Sequence, residues 1–96
     1  FKMFTNNEPL SKVTLKFKKN LTRVIVEKFG FDVCIESIDD CYAKTTVEVQ
    51  ISQQFYGWLT GFRAVDLLLI APESEIASYM KYLNDTIEQY RSNSNS

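Results

Sequence analysis

Residues 13–29 read VTLKFKKNLTRVIVEKF, and a change of period within them decides how the chain folds. Val13, Leu15 and Phe17 alternate with Thr14, Lys16 and Lys18, the two-residue period of a strand with one apolar face. The apolar positions then shift to Leu21, Val24, Ile25 and Phe29, the spacing of one helix face. Asn20 stands where an N-cap is expected and Gly30 where a C-terminal cap is expected. The first unit is therefore a strand feeding directly into a short amphipathic helix.

Working outward, residues 32–38 predict a second strand with Val33 and Ile35 on one face, and Asp39-Asp40 marks a turn. Residues 42–51 predict a third strand, with Val47, Val49 and Ile51 on one face and Thr46, Glu48 and Gln50 on the other. So short a connection makes the two an antiparallel hairpin. Ser52 caps a second helix whose stripe is Phe55, Trp58, Leu59 and Phe62, ending near Gly61. Residues 65–70 form a fourth strand, closed by Pro72. Pro72, Glu73 and Glu75 make a first helical turn with acids at the positive end of the dipole. Ile76, Tyr79, Met80, Leu83, Ile87 and Tyr90 then form one long stripe. The order β-α-β-β-α-β-α predicts an α+β fold: a ferredoxin-like βαββαβ unit with a four-stranded antiparallel sheet and an additional C-terminal helix. Residues 1–11, with Asn6, Asn7 and Pro9, read as a linker from a preceding domain, to which Phe1, Met3 and Phe4 would have belonged. Residues 12–91 form the domain, and the Ser/Asn tail at 92–96 is expected to be disordered.

Composition narrows the function. The 96 residues are 45% apolar and 14% aromatic, enough for one small core. No apolar run approaches a membrane span, so no membrane partner is expected. There is no histidine, which removes the commonest general base, the Ser-His and Cys-His pairs and the commonest metal ligand. No glycine-rich phosphate loop occurs. The chain reads as a non-enzyme with no catalytic residues, no metal and no cofactor. Of the two cysteines, a two-residue turn at Asp39-Asp40 would set Cys34 opposite Thr45 and Cys41 opposite Ile38, so free thiols in a reducing cytoplasm are expected. Asp39-Asp40 reads as turn formers rather than metal ligands, and Trp58 as core rather than a ligand platform.

Charge is unevenly spread. Residues 1–30 carry seven Lys or Arg against two Glu, and residues 31–96 carry four against ten acids. Either these are solvated faces, or the basic part meets an anion. On the outer sheet face the pattern places Lys16, Lys18 and Lys44, with Arg63 from the loop before the fourth strand. These four are the candidate ligand site, for a nucleic acid or a phosphorylated small molecule. The plainer reading pairs Lys16 with Glu48 across strands. RNA-recognition domains share this topology but stack bases on central-strand aromatics, where this chain has Thr14, Lys16, Thr46 and Glu48. Acylphosphatases need a glycine-containing arginine loop after the first strand, where this chain has Lys18-Lys19-Asn20.

The fourth strand is unusual. Val65, Leu67 and Leu69 should face the core, and Leu68 and Ile70 face the other way beside Asp66. An edge strand apolar on both faces needs cover, either from the chain's own last helix or from another subunit or domain. Leu68, Ile70, Tyr79 and Tyr82 are the candidate interface residues.

The run Val13-Thr14-Leu15-Lys16-Phe17, the helix ending Glu27-Lys28-Phe29-Gly30, the run Trp58-Leu59-Thr60-Gly61-Phe62, the following apolar strand, Pro72 and a helix ending at Tyr90 resemble the WCX domain, the C-terminal extension of WYL-domain regulators in bacteria. The likeness covers about residues 12–91; Arg63 stands where such domains often carry a second glycine. The resemblance implies a cytoplasmic transcriptional regulator with a winged-helix DNA-binding domain and a WYL domain ahead of this module. It also implies a homodimer, DNA contact through the full-length protein, and an effector that is a nucleic acid or a small molecule.

Overall fold

The structure, a computed structural model, describes residues 9–94. Strand β1 is Ser11–Lys18, helix α1 Thr22–Phe29, β2 Ile35–Ser37, β3 Tyr42–Val49, α2 Gln53–Thr60, β4 Leu67–Ala71 and α3 Glu73–Ser94. The four strands form one antiparallel sheet in the order β2-β3-β1-β4. This is the expected ferredoxin-like α+β architecture with an added C-terminal helix. The readings made for residues 1–8 lie outside the described residues.

The alternation in β1 sends Val13, Leu15 and Phe17 into the core with no exposed surface. Burial of each such side chain stabilises the fold by about 1.5–3 kcal/mol. Ala43 and Val49 of β3 and Leu67 and Leu69 of β4 extend the buried face, and Ile25 of α1 with Phe55 and Leu59 of α2 pack onto it. Trp58 joins the helix layer together, edge-on to Phe29 at 5.5 Å and to Phe62 at 5.2 Å between ring centroids. Thr45 is the buried polar residue of this core; its hydroxyl donates to the Cys34 carbonyl at 2.6 Å, so its burial leaves no unmet donor.

Caps fix the helix ends. The Ser52 hydroxyl accepts from the Phe55 N–H at 3.2 Å, as the sequence predicts. Gly30 ends α1 with φ of 107°, a conformation that favours glycine, and its N–H reaches the Val26 carbonyl. Asn20 is not the cap of α1. A single 3-10 turn over Lys19–Leu21 intervenes, held by the Thr22 hydroxyl donating to the Lys19 carbonyl at 2.7 Å, and Leu21 occupies the cap position.

Three other expectations change. The hairpin register differs by one residue: Ile35 faces Thr45 and Ser37 faces Ala43. The cause is a wider turn, in which the Asp39 carboxylate accepts from the Cys41 and Tyr42 N–H groups and the Tyr42 carbonyl accepts from Ile38 and Asp39. Those two N–H donors hold the Asp39 carboxyl below its ordinary range. Cys34 and Cys41 are nevertheless free and exposed. Val65 does not join β4 or the core; it lies exposed in a turn closed by the Asp66 and Leu67 N–H groups on the Arg63 carbonyl. Finally, the helical backbone runs to Ser94, past the expected start of the tail at 92. Arg91 pairs with Glu88 at 3.1 Å, and the Ser94 hydroxyl donates to the Arg91 carbonyl at 3.0 Å.

Candidate functional site

The basic face assembles as a surface but is largely neutralised. Lys16, Lys18 and Lys44 all point away from the helices, and Lys16 lies directly opposite Lys44 across β1 and β3. Glu48 stands opposite Lys12, so the expected Lys16–Glu48 pair does not form. Instead Lys16 places its ammonium 4.6 Å from the Tyr42 ring centroid. Lys18 pairs with Asp66 at 3.3 Å, Arg63 pairs with the same carboxylate at 3.2 Å, and Lys44 approaches Glu36 at 3.8 Å. The hydrogen bond from Arg63 holds the Asp66 carboxyl below its ordinary range, with Lys18 adding to it against the opposing effect of partial burial. Three of the four candidate cations thus already hold a carboxylate. What remains is a shallow hollow of about 210 Å³ lined by Lys16, Tyr42, Ala64, Val65 and Leu68. Exposed pairs like these contribute about 0–1 kcal/mol each, so an anion can compete for them.

The second surface is apolar. α3 packs beside β4 and holds to α2 through three tyrosines: Tyr56 lies 5.2 Å from Tyr79 and 4.9 Å from Tyr82, ring centre to ring centre. Burial raises the ionisation of Tyr56 and Tyr79 above the ordinary tyrosine range. Tyr79 and Tyr82 therefore pack the chain's own last helix onto α2. Ile70 is half-buried, whereas Leu68 stays 43% exposed. The chain's own helix therefore covers β4 only in part.

Between α2, β4 and α3 an apolar cleft of about 420 Å³ remains, lined among others by Leu59, Phe62, Leu68, Ile76, Met80 and Leu83. Its α3 wall continues along the helix into open solvent. Met80 is 55% exposed, Ile87 45% and Tyr90 74%, and every residue from 84 to 94 is exposed. The sequence reading found this stripe but assigned its interface role to the tyrosines. The missed signal is its spacing: Ile76, Met80, Leu83, Ile87 and Tyr90 recur at intervals of four, three, four and three, a heptad seam and not merely an amphipathic face.

Phe31, 96% exposed in the loop after α1, is another large apolar side chain that the sequence reading did not single out. Among the described residues there is no cluster of three or more metal-ligating side chains, and no helix is long and apolar enough to cross a membrane. No protein-family model matches the chain, and neither the curated proteins nor the solved structures contain a match to it.

Proposed function

We propose that this chain is a non-catalytic association module, a WCX-like C-terminal part of a cytoplasmic bacterial transcriptional regulator, and that it dimerises and couples an effector to a DNA-binding domain elsewhere in the protein. The observation that carries the association reading is the uncovered apolar surface of Leu68, Met80, Ile87 and Tyr90 around an open cleft. Leu68 and Met80 line that cleft, and exposed apolar surface around a cleft supports an interaction site. The regulator reading rests on the order of sequence motifs alone. A histidine-free chain without a phosphate loop supports the non-catalytic reading.

Light scattering over a concentration series tests it, with a concentration-dependent dimer expected. Leu68 retains 43% of its surface for a partner, so its cover in the dimer is worth about 1 kcal/mol per copy. Leu68→Lys should therefore weaken a symmetric dimer by roughly thirtyfold, and more once the ammonium must be desolvated. A strict monomer at high concentration, unaffected by Leu68→Lys, would overturn the proposal.

A second reading is favoured by one observation: a single carboxylate, Asp66, serves both Lys18 and Arg63, leaving net positive charge at that end of the sheet. It makes the face a site for a nucleic acid or a phosphorylated small molecule. A labelled oligonucleotide should then bind at low salt and dissociate as salt rises; no binding at low salt removes the nucleic-acid form.

A further inference from the structure

We infer that the occupant of the cleft is the α3 helix of a second copy of this chain, laid antiparallel to the first; the inference rests on the association reading above. Three observations select this partner. The first is the spacing of the seam. From Met80 the intervals to Leu83, Ile87 and Tyr90 are three, four and three, which read the same in both directions. A helix reversed about the level of Asp85 therefore sets Leu83 opposite the second copy's Ile87 and Met80 opposite its Tyr90, apolar on apolar at all four positions. Such a heptad repeat is the pattern by which two helices interlock side chains.

The second observation is charge. The positions flanking the seam from Ala77 to Thr86, namely Ala77, Tyr79, Asn84 and Thr86, are uncharged, and the next, Arg91, is charged. The nearby charges are satisfied within the helix, Lys81 with Asp85 and Arg91 with Glu88, each at 3.1 Å. Nothing along the seam repels an identical helix. The ends choose the direction: the first turn carries Glu73 and Glu75 and the last carries Arg91. An antiparallel pair brings opposite charges and opposite dipole ends together, whereas a parallel pair sets like against like. A parallel pair would also crowd two domain bodies at one end, because the first half of each α3 carries α2 and β4 along its side.

The third is area. Met80, Ile87, Tyr90 and Leu68 keep 55%, 45%, 74% and 43% of their surface open, apolar area that a second copy takes out of water.

Disulfide trapping tests the inference in the full chain with Cys34→Ser and Cys41→Ser. Copies carrying Leu83→Cys are mixed with copies carrying Ile87→Cys and oxidised mildly. The expected result is a cross-linked heterodimer from the mixture and little from either variant alone. Self-linkage of each variant alone would mean a parallel pair and overturn the inference. A dimer by light scattering without any cross-link would place the contact elsewhere; the inference fails and the association reading stands. A monomer with neither overturns both. Ile87→Glu provides the second arm. Ile87 makes no buried contact in one copy, so circular dichroism should be unchanged while the dimer weakens at least about a hundredfold. Unaltered dimerisation of a folded Ile87→Glu chain would again overturn the inference.

Discussion

Replacing Tyr56 with alanine should release α3 from the domain while leaving the sheet in place. Tyr56 is the α2 side of the tyrosine cluster, with Tyr79 at 5.2 Å and Tyr82 at 4.9 Å, both tilted by nearly half a right angle. Each aromatic pair is worth about 0.5–1.5 kcal/mol beyond its buried area. Half-burial of the ring adds about 1 kcal/mol. Tyr56→Ala should therefore cost about 2–4 kcal/mol, below a fully buried aromatic deletion at about 3–5 kcal/mol. In a domain of this size each kcal/mol lowers Tm by about 4–8 °C. Tyr56→Phe keeps both ring contacts and should stay within about 0.5 kcal/mol of the parent. Urea unfolding gives the energies, and hydrogen exchange resolved by peptide gives the location. Protection should fall in Glu73–Leu83 and persist in β1 and β3. The reasoning fails if Tyr56→Ala costs less than about 1 kcal/mol with α3 protection unchanged. It fails equally if Tyr56→Phe costs as much as alanine, because the hydroxyl and not the ring would then hold the helix.

Two pH dependences follow from the same structure. Burial raises the ionisation of Tyr56, with the Glu75 charge adding to it, and burial raises that of Tyr79, with Tyr82 adding to it. The unfolded chain then ionises first, so the stability these rings contribute is intact below pH 10.0, the ordinary tyrosine value, and is lost as pH rises through the higher folded values. A falling urea midpoint there, accompanied by tyrosinate absorbance, checks it. At the acid end the folded Asp66 carboxyl lies below its ordinary 3.8, so its contribution is present above that pH and is lost as pH falls through the lower folded value. Carboxyl NMR should place Asp66 below the ordinary value, and Arg63→Gln, which removes its first hydrogen-bond donor, should raise it.

Local patterns carried the fold. Alternation at Val13, Leu15 and Phe17, the stripe at Phe55, Trp58, Leu59 and Phe62, and the Ser52 cap are each set by residues a few positions apart, and the structure bears them out. The differences arise where side chains act at a distance from their own period. Asp39 capping two N–H groups widened the turn and moved the hairpin register, which counting residues across a two-residue turn does not reveal. Val65 has the composition of a strand residue, but backbone bonds to Arg63 hold the turn through it. The basic face shows the same effect. Asp66 is three residues from Arg63, but it meets Lys18 only because β4 pairs with β1. Tyr79 and Tyr82 stand out in the sequence as candidate interface residues, but the identity of their partner, Tyr56 on another helix, depends on how α3 is laid down.

The strand order also sets the timing of assembly during synthesis. β1 is central, yet both of its neighbours come later in the chain; Leu15 must wait for Thr45 and then for Leu69. At about 5–20 residues per second, a ribosome delivers the last of these roughly 3–11 seconds after the first. Through that interval the strand that supplies the most deeply buried side chains has an unpaired edge, and only the β2–β3 hairpin can close locally. Lys12, Lys16 and Lys18 alternate through the same strand. Their charges, set between Val13, Leu15 and Phe17, oppose pairing with other nascent chains until β4 arrives.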